Sequence, residues 1–289
     1  MEKTKILVQL DTDPYSSVFD RVVAVDAGAQ QIFSYGSVTP ERVQPLVHGC
    51  IFTRGPKDLK NTAIFIGGSD VSAGEKVLDE VKRHLIPDYG LRVSLMLDSN
   101  GANTTAAAAV RAASKHLDLG QAKALVLGGT GPVGLRVARL LANAGAHVRI
   151  GSRSLERAES ACRAIRVINH SAKVEAISVA NSSDGPTALK GRDLVIAAGA
   201  AGAVLLPKRL RQSCETLRVL IDLNAVPPAG IEGIEVTDKG VVRENAVCFG
   251  AIGVGDTKMK IHKAALFQLF ESNDQVLDAE EIYEIAKRF

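Results

Sequence analysis

The sequence predicts an α/β protein of two domains, and two observations predict it. Apolar runs of strand length alternate with helical patterns along almost the whole chain, the rhythm of mostly parallel sheets with helices between their strands. At Lys123 one such run, Lys123-Ala-Leu-Val-Leu127, meets a glycine-rich turn that opens directly into a helical pattern, and a more regular alternation begins there. Residues 1–118 read as a first α/β domain, 119–250 as a second, and 251–289 as helices that pack back on the first.

In the first domain Ile6–Leu10, Ala63–Ile66 and Val93–Leu97 read as strands, with helices around Ser17–Val25, Pro40–Val47 and Val71–His84. Ala102–His116 is alanine-rich and apolar on more than one face, which predicts a buried connecting helix. In the second domain the strands are Ala124–Leu127, Val148–Ile150, Val174–Ile177, Asp193–Ala197 and Arg218–Asp222. A flexible glycine run, Gly250-Ala-Ile-Gly-Val-Gly-Asp-Thr-Lys258, then leads to an amphipathic helix over Met259–Phe270. Asp278-Ala-Glu-Glu281 is a capping box that opens a last helix to Lys287.

Gly129, Gly131 and Gly134, with Thr130, Pro132 and Val133 between them, fit G-x-G-x-x-G in the strand–turn–helix setting of a Rossmann dinucleotide site. The first glycine permits the tight turn, the second lets backbone approach a pyrophosphate, and the third lets helix and strand pack closely. The helix N-terminus offers N–H groups and a positive dipole end to the phosphates. The next strand, His147–Ile150, ends in Gly151-Ser152-Arg153, with Arg157 one turn further on. NAD sites usually place a carboxylate there for the ribose 2′-OH, whereas hydroxyl and guanidinium groups suit a 2′-phosphate, so the residues favour NADP, with NAD as the weaker alternative. Ser154 is a ready helix N-cap. After the later strands, Ala198 and Gly199 leave room for the cofactor to lie against backbone, and the Asn224 amide can reach its nicotinamide end.

Polar clusters at the other strand ends are the candidate substrate contacts: Asp11, Asp13 and Ser17 after the first strand, Arg54 beside Gly55, and Asp98, Asn100 and Asn103 before the alanine-rich helix. Helix capping competes with a ligand role at each of them. Lys258 is a candidate catalytic or positioning cation. A cleft with cofactor on one wall and substrate on the other is the expected arrangement. No His–Asp pair announces itself for alcohol oxidation, and a hydride donor that releases no proton fits best.

The bulk properties exclude other classes. A net charge of +3 with no basic stripe argues against nucleic acid, and no apolar run is long enough to span a membrane. The apolar stretch from Ile6 stops at Asp11, too short for a signal peptide, and the four cysteines are scattered, so a cytoplasmic protein with reduced thiols is expected. The histidines show no metal-ligand spacing, and no metal is expected.

Taken together, the motifs resemble the NADP-dependent methylenetetrahydromethanopterin dehydrogenases. The matching pieces are Gln9-Leu-Asp-Thr-Asp13 with Ser17-Val-Phe-Asp20, Thr53-Arg-Gly55, Thr62-Ala-Ile-Phe-Ile-Gly-Gly68 and Leu97-Asp-Ser-Asn-Gly101 with Asn103-Thr-Thr-Ala106. They continue through Gly129-Thr-Gly-Pro-Val-Gly134, Asn224 with Pro227-Pro228, Phe249-Gly-Ala251, Leu269-Phe-Glu-Ser272 and Asp278-Ala-Glu-Glu-Ile-Tyr283. The resemblance implies hydride transfer from the methylene carbon of a reduced pterin to NADP in one-carbon metabolism, a homo-oligomer, and a catalytic set of Lys258, Asp98 and Asn103. It implies substrate contacts from Asp11, Asp13, Ser17, Arg54, Asn100 and Lys258. Some members of the family also accept tetrahydrofolate. Asp256-Thr257 before Lys258 departs from the Gly and aliphatic pair of the best-known branch. A folate or shikimate-type dehydrogenase and a non-catalytic NADP-binding regulator are the competing readings.

Overall fold

The computed structural model describes residues 3–289, and the chain divides into two compact units. One comprises the chain up to Thr104 together with Met259–Arg288, and the other runs from Thr105 to Lys258. The divisions fall inside helices rather than at residues 118 and 250, because two long helices each carry the chain from one unit into the other.

In the first unit the order is β1 (Ile6–Asp11), α1 (Val18–Asp26), β2 (Gln31–Tyr35), α2 (Val43–Ile51), β3 (Thr62–Gly67), α3 (Val71–His84), β4 (Ser94–Leu97) and the start of α4 (Ala102–Ser114). The second unit contains β5 (Lys123–Leu127), α5 (Pro132–Asn143), β6 (His147–Ser152), α6 (Leu155–Ile168), β7 (Val174–Ser178), α7 (Gly185–Leu189), β8 (Leu194–Ala197), α8 (Lys208–Gln212), β9 (Val219–Asp222), β10 (Lys239–Arg243) and β11 (Ala246–Phe249). Helix α9 (Ala251–Gln268) leads back to the first unit, which closes with β12 (Val276–Leu277) and α10 (Ala279–Ala286). No helix among the described residues is long and apolar enough to cross a membrane.

The first sheet is parallel throughout, in the order β2-β1-β3-β4-β12, the doubly wound order whose switch point lies between β1 and β3. Val8, Leu10, Ile64, Ile66, Leu95 and Leu97 line one face of it and bury against Val43, Val47 and Ile51 of α2 and Val77 and Val81 of α3. Strands covered on both faces read as continuous apolar runs, which is why β1, β3 and β4 were legible. Strand β2 was not, because it is an edge strand whose side chains alternate between exposed and half-buried.

The second sheet runs β10-β11-β9-β8-β5-β6-β7, parallel except for β10, which pairs antiparallel with β11. Without that edge strand it is the 3-2-1-4-5-6 order of a Rossmann sheet, with its switch point between β5 and β8. The glycine run after β11 corrects the sequence reading: it is helix, not flexible loop, and α9 begins two turns before Met259. Two of the glycines are there for close approach. A Cβ at Gly250 would lie 2.1 Å from the Glu235 carbonyl oxygen, and one at Gly253 only 1.9 Å from that of Asp238.

That Asp238 gives one pH prediction. Its buried carboxylate accepts from Arg243 Nε and Nη2, each at 2.7 Å, and from the Glu235 amide at 3.0 Å. The Arg243 hydrogen bonds hold its carboxyl below the ordinary range. A carboxyl depressed by folding stabilises above its unfolded pKa of about 3.9 and loses that contribution as pH falls through the folded value. Urea midpoints are therefore expected to fall below about pH 4, and Asp238→Asn should flatten that acid limb. An unchanged limb in the variant would show that other carboxylates set it.

Candidate active site

The candidate residues gather at the carboxyl ends of the parallel strands, and each unit presents such an edge. In the second unit the turn after β5 is built by contacts that exclude side chains. Gly128 takes a left-handed conformation (φ 70°), and a Cβ on it would lie 2.5 Å from the Gly199 Cα. The residue that makes the turn is thus one before the motif's first glycine. A Cβ at Gly129 would meet the Ile150 side chain at 2.8 Å, and one at Gly134 the Gly128 carbonyl at 2.4 Å. Gly131 differs, because the nearest protein atom to a Cβ there is 3.4 Å away. The fold does not require glycine at that position, whereas a group approaching the backbone from outside would. Gly131 is also the N-cap of α5, Pro132 is its first residue, and no side chain caps the helix, so the cradle fits a pyrophosphate.

Ser152 and Arg153 stand at the end of β6, the strand next to β5. Ser152 is buried, its Oγ 3.5 Å from Thr130 Oγ1 and accepting from the Ser154 amide at 3.2 Å. Arg153 and Arg157 are exposed, and Ser154 caps α6 by accepting from the Arg157 amide. A cavity of about 670 Å³ begins beside the turn, with walls that include Leu127, Val179, Ala180, Leu205 and Leu206. Ala198 donates its amide to the Leu127 carbonyl, which sets the loop after β8 against the turn.

Asn224 serves its own loop in the structure. Its Nδ2 donates to the Pro228 carbonyl at 3.0 Å and its Oδ1 accepts from the Val226 amide at 3.0 Å, bracing a segment with a cis Pro227–Pro228 bond. Buried Asp222 holds the base of this loop by accepting from the Asn224 and Ile231 amides, and burial raises its pKa.

In the first unit the strand register sets Asp11, Gly67 and Asp98 side by side at the carboxyl edge. Asp11 accepts from the Asp13 and Ser17 amides at 2.9 and 3.0 Å. Asp13 accepts from the Ser69 amide and hydroxyl, both at 2.9 Å, joining the loops after β1 and β3. Ser17 is the N-cap of α1. Asp98 accepts from the Thr104 amide at 3.0 Å and hydroxyl at 2.6 Å, and Asn103 donates to the Leu97 carbonyl and to Asp278. Exposed Asn100 adopts a left-handed conformation at φ 54°, uncommon for a side chain and frequent where loops are held for function.

Arg54 does not join this group. Its Nη1 donates to the Thr4 and Asn61 carbonyls, each at 2.9 Å, and these residues precede β1 and β3. The guanidinium closes strand beginnings at the opposite edge of the sheet.

Lys258 is half-buried in the second turn of α9, which begins at the carboxyl edge of the second sheet because β11 runs parallel to β9. One turn on, and on the same helical face, is His262, which sequence reasoning missed. It is 1% exposed, stacks on Phe65 at a centroid distance of 5.9 Å, lies 6.1 Å from the Phe19 ring, and places Nε2 3.8 Å from Asp20 Oδ1. A histidine four residues after Lys258 was a readable signal once that stretch was known to be helical.

Comparisons with known proteins identify the family. Residues 18–100 match the family model described as methylenetetrahydromethanopterin dehydrogenase, N-terminal, and residues 116–230 match an NAD(P)-binding model. The chain is 46% identical to the bifunctional protein MdtA of Methylorubrum extorquens, over 98% of both chains. It is 30% identical to the NAD(P)-dependent methylenetetrahydromethanopterin dehydrogenase of the same organism, over 97% of both. The chain belongs to the methylenetetrahydromethanopterin dehydrogenase family. Shikimate 5-dehydrogenase from Listeria monocytogenes shares the fold, with a TM-score of 0.57 at 14% identity over 98% of this chain and 96% of that one.

Proposed function

We propose that this enzyme transfers hydride reversibly between the methylene carbon of methylenetetrahydromethanopterin and NADP. The carrying observation is Gly131: an uncapped helix N-terminus behind a glycine that the fold itself does not need. Gly129, Thr130, Gly131, Pro132, Val133 and Gly134 would hold the pyrophosphate, with Ala198 and Gly199 along the same edge and the neighbouring cavity taking the adenine end. The nicotinamide ring, when bound, supplies the hydride acceptor.

The methylene carbon lies between two nitrogens, so as hydride departs a nitrogen lone pair fills the vacancy and the methenyl cation forms. No proton leaves, and no general acid or base is required. The protein's work is to fix the two carbons about 3–3.5 Å apart and to exclude alternative geometries. Asp11, Asp13, Ser17, Asp98 and Asn103 do this indirectly, by holding the loops at the strand ends. Asn100 and Lys258 are the proposed direct contacts to the pterin. The scattered thiols, with Cys50 buried and pushed up to about 12, support a cytoplasmic setting.

The preference for NADP rests on Ser152, Arg153 and Arg157, with no carboxylate at the end of β6. Arg153→Ala removes a charged hydrogen bond worth about 1.5–3 kcal/mol. The kcat/KM with NADP is expected to fall about 10- to 100-fold, while that with NAD stays within about 2-fold. A steady-state matrix of both nicotinamides against methylenetetrahydromethanopterin and methylenetetrahydrofolate tests this and reports the pterin range. Equal losses with both nicotinamides would remove Arg153 from phosphate recognition, and tight NADP binding without turnover of either pterin would favour a regulator.

A further inference from the structure

Six glycines lie inside the α-helices of the described residues, and four have an evident steric reason. A Cβ would meet Ser99 Oγ at 2.1 Å from Gly74, the Gly128 carbonyl at 2.4 Å from Gly134, the Leu210 side chain at 2.3 Å from Gly185, and the Asp238 carbonyl at 1.9 Å from Gly253. Gly49 and Gly255 have none, since a Cβ on either meets no atom within 4 Å. Gly49 sits two residues from the end of α2, where helix propensity counts for little. Gly255 lies in the second turn of the 18-residue α9, where glycine is the poorest helix former after proline.

Open space in front of a helical glycine lets a ligand approach the bare backbone closely. Residue 255 shares a helical face with Lys258, three residues on, and with Ile252, three residues before, which is a 54% exposed aliphatic side chain. That face starts at the carboxyl edge of the second sheet, the edge that carries the glycine cradle. A flat heteroaromatic ring can lie on bare helix backbone there, with an aliphatic contact on one side and an ammonium on the other.

We infer that Gly255 is a specificity-determining residue, its missing side chain giving the pterin ring of the substrate room to lie against α9. This rests on the pterin reading above and assigns the clearance for that ring to one position. Gly255→Ala is expected to raise the thermal midpoint by about 2–4 °C, because it improves a helix without meeting any atom. The same variant should raise the KM for methylenetetrahydromethanopterin several-fold, and Gly255→Leu by about 30-fold or more, roughly the discrimination of a few methylenes. NADPH affinity, read by fluorescence titration, should remain within about 2-fold in both variants. Gly49→Ala, the control at the end of a helix, should leave every kinetic constant unchanged.

A KM that stays unchanged in Gly255→Leu, with wild type active on the pterin, would overturn this inference alone. A wild type that forms no NADPH from either pterin would overturn the pterin reading and the inference with it. A parallel loss of NADPH affinity would also overturn it, because the space would then belong to the cofactor.

Discussion

Gly131→Val is expected to abolish dinucleotide binding while leaving the fold nearly as stable as before. The backbone at Gly131 is extended, at φ −80° and ψ 169°, which valine adopts readily, and the nearest protein atom to the new Cβ is 3.4 Å away. The folding cost is limited to the poorer N-cap, about 1 kcal/mol. In the ligand's place, however, the branched side chain would stand where the pyrophosphate must approach the first amides of α5. Losing two charge-assisted hydrogen bonds at about 1.5–3 kcal/mol each predicts a rise in the NADPH Kd of at least about 100-fold. Gly134→Ala should behave in the opposite way. Its Cβ would come within 2.4 Å of the Gly128 carbonyl, so the variant loses stability by about 1–3 kcal/mol before any ligand is added. Fluorescence titration with NADPH and thermal melts separate the two. Gly131→Val binding NADPH within about 3-fold of wild type would place the pyrophosphate elsewhere.

This contrast shows why the second unit was largely legible and the details of its turn were not. A strand, a glycine cluster and a helix in succession have few other uses, so β5 and α5 could be placed from residues alone. Which glycine does which job depends on what lies across the turn, and Gly128 owes its necessity to Gly199, 71 residues away in sequence. The missed strands share a cause. Strand β2 is a sheet edge, β12 has two residues paired to β4, and β10 and β11 are an edge strand and its short neighbour. None carries a long buried apolar run.

Most of the candidate substrate residues stand at strand ends, as their sequence positions suggested, but position does not reveal a hydrogen-bond partner. Asp98 satisfies Thr104, Asn103 reaches Asp278, and Asn224 spans its own loop. Each binds protein in the structure, and only the three-dimensional partner list separates a loop brace from a ligand contact. Arg54 is the clearest case. Beside a glycine it suggested substrate contact, yet its carbonyl partners stand at the other end of the strands. The glycines before Lys258 suggested flexibility for a similar reason, since sequence does not show the Asp238 carbonyl that one of them must clear.

Lys258→Met is expected to raise the KM for the pterin about 10- to 100-fold and to leave kcat within about 3-fold of wild type. The first figure is the loss of one hydrogen bond from a charged donor, about 1.5–3 kcal/mol. The second follows from the sign of the charge that develops in the reaction. As hydride leaves, the pterin becomes a cation, and an ammonium about 5 Å from it would raise the barrier by about 3 kcal/mol at an effective dielectric of 20. A lysine directed at the reacting carbon would therefore oppose the forward step. One that bonds an acceptor atom elsewhere on the pterin contributes equally to ground state and transition state, which is uniform binding and appears in KM alone. Lys258→Arg, which keeps the charge and changes the donor geometry, should recover part of the affinity. Steady-state kinetics at saturating NADP resolves the cases. Full kcat and KM in Lys258→Met would remove Lys258 from the site. A loss confined to kcat would instead make the ammonium a participant in the hydride step, acting on a charge other than the methenyl cation.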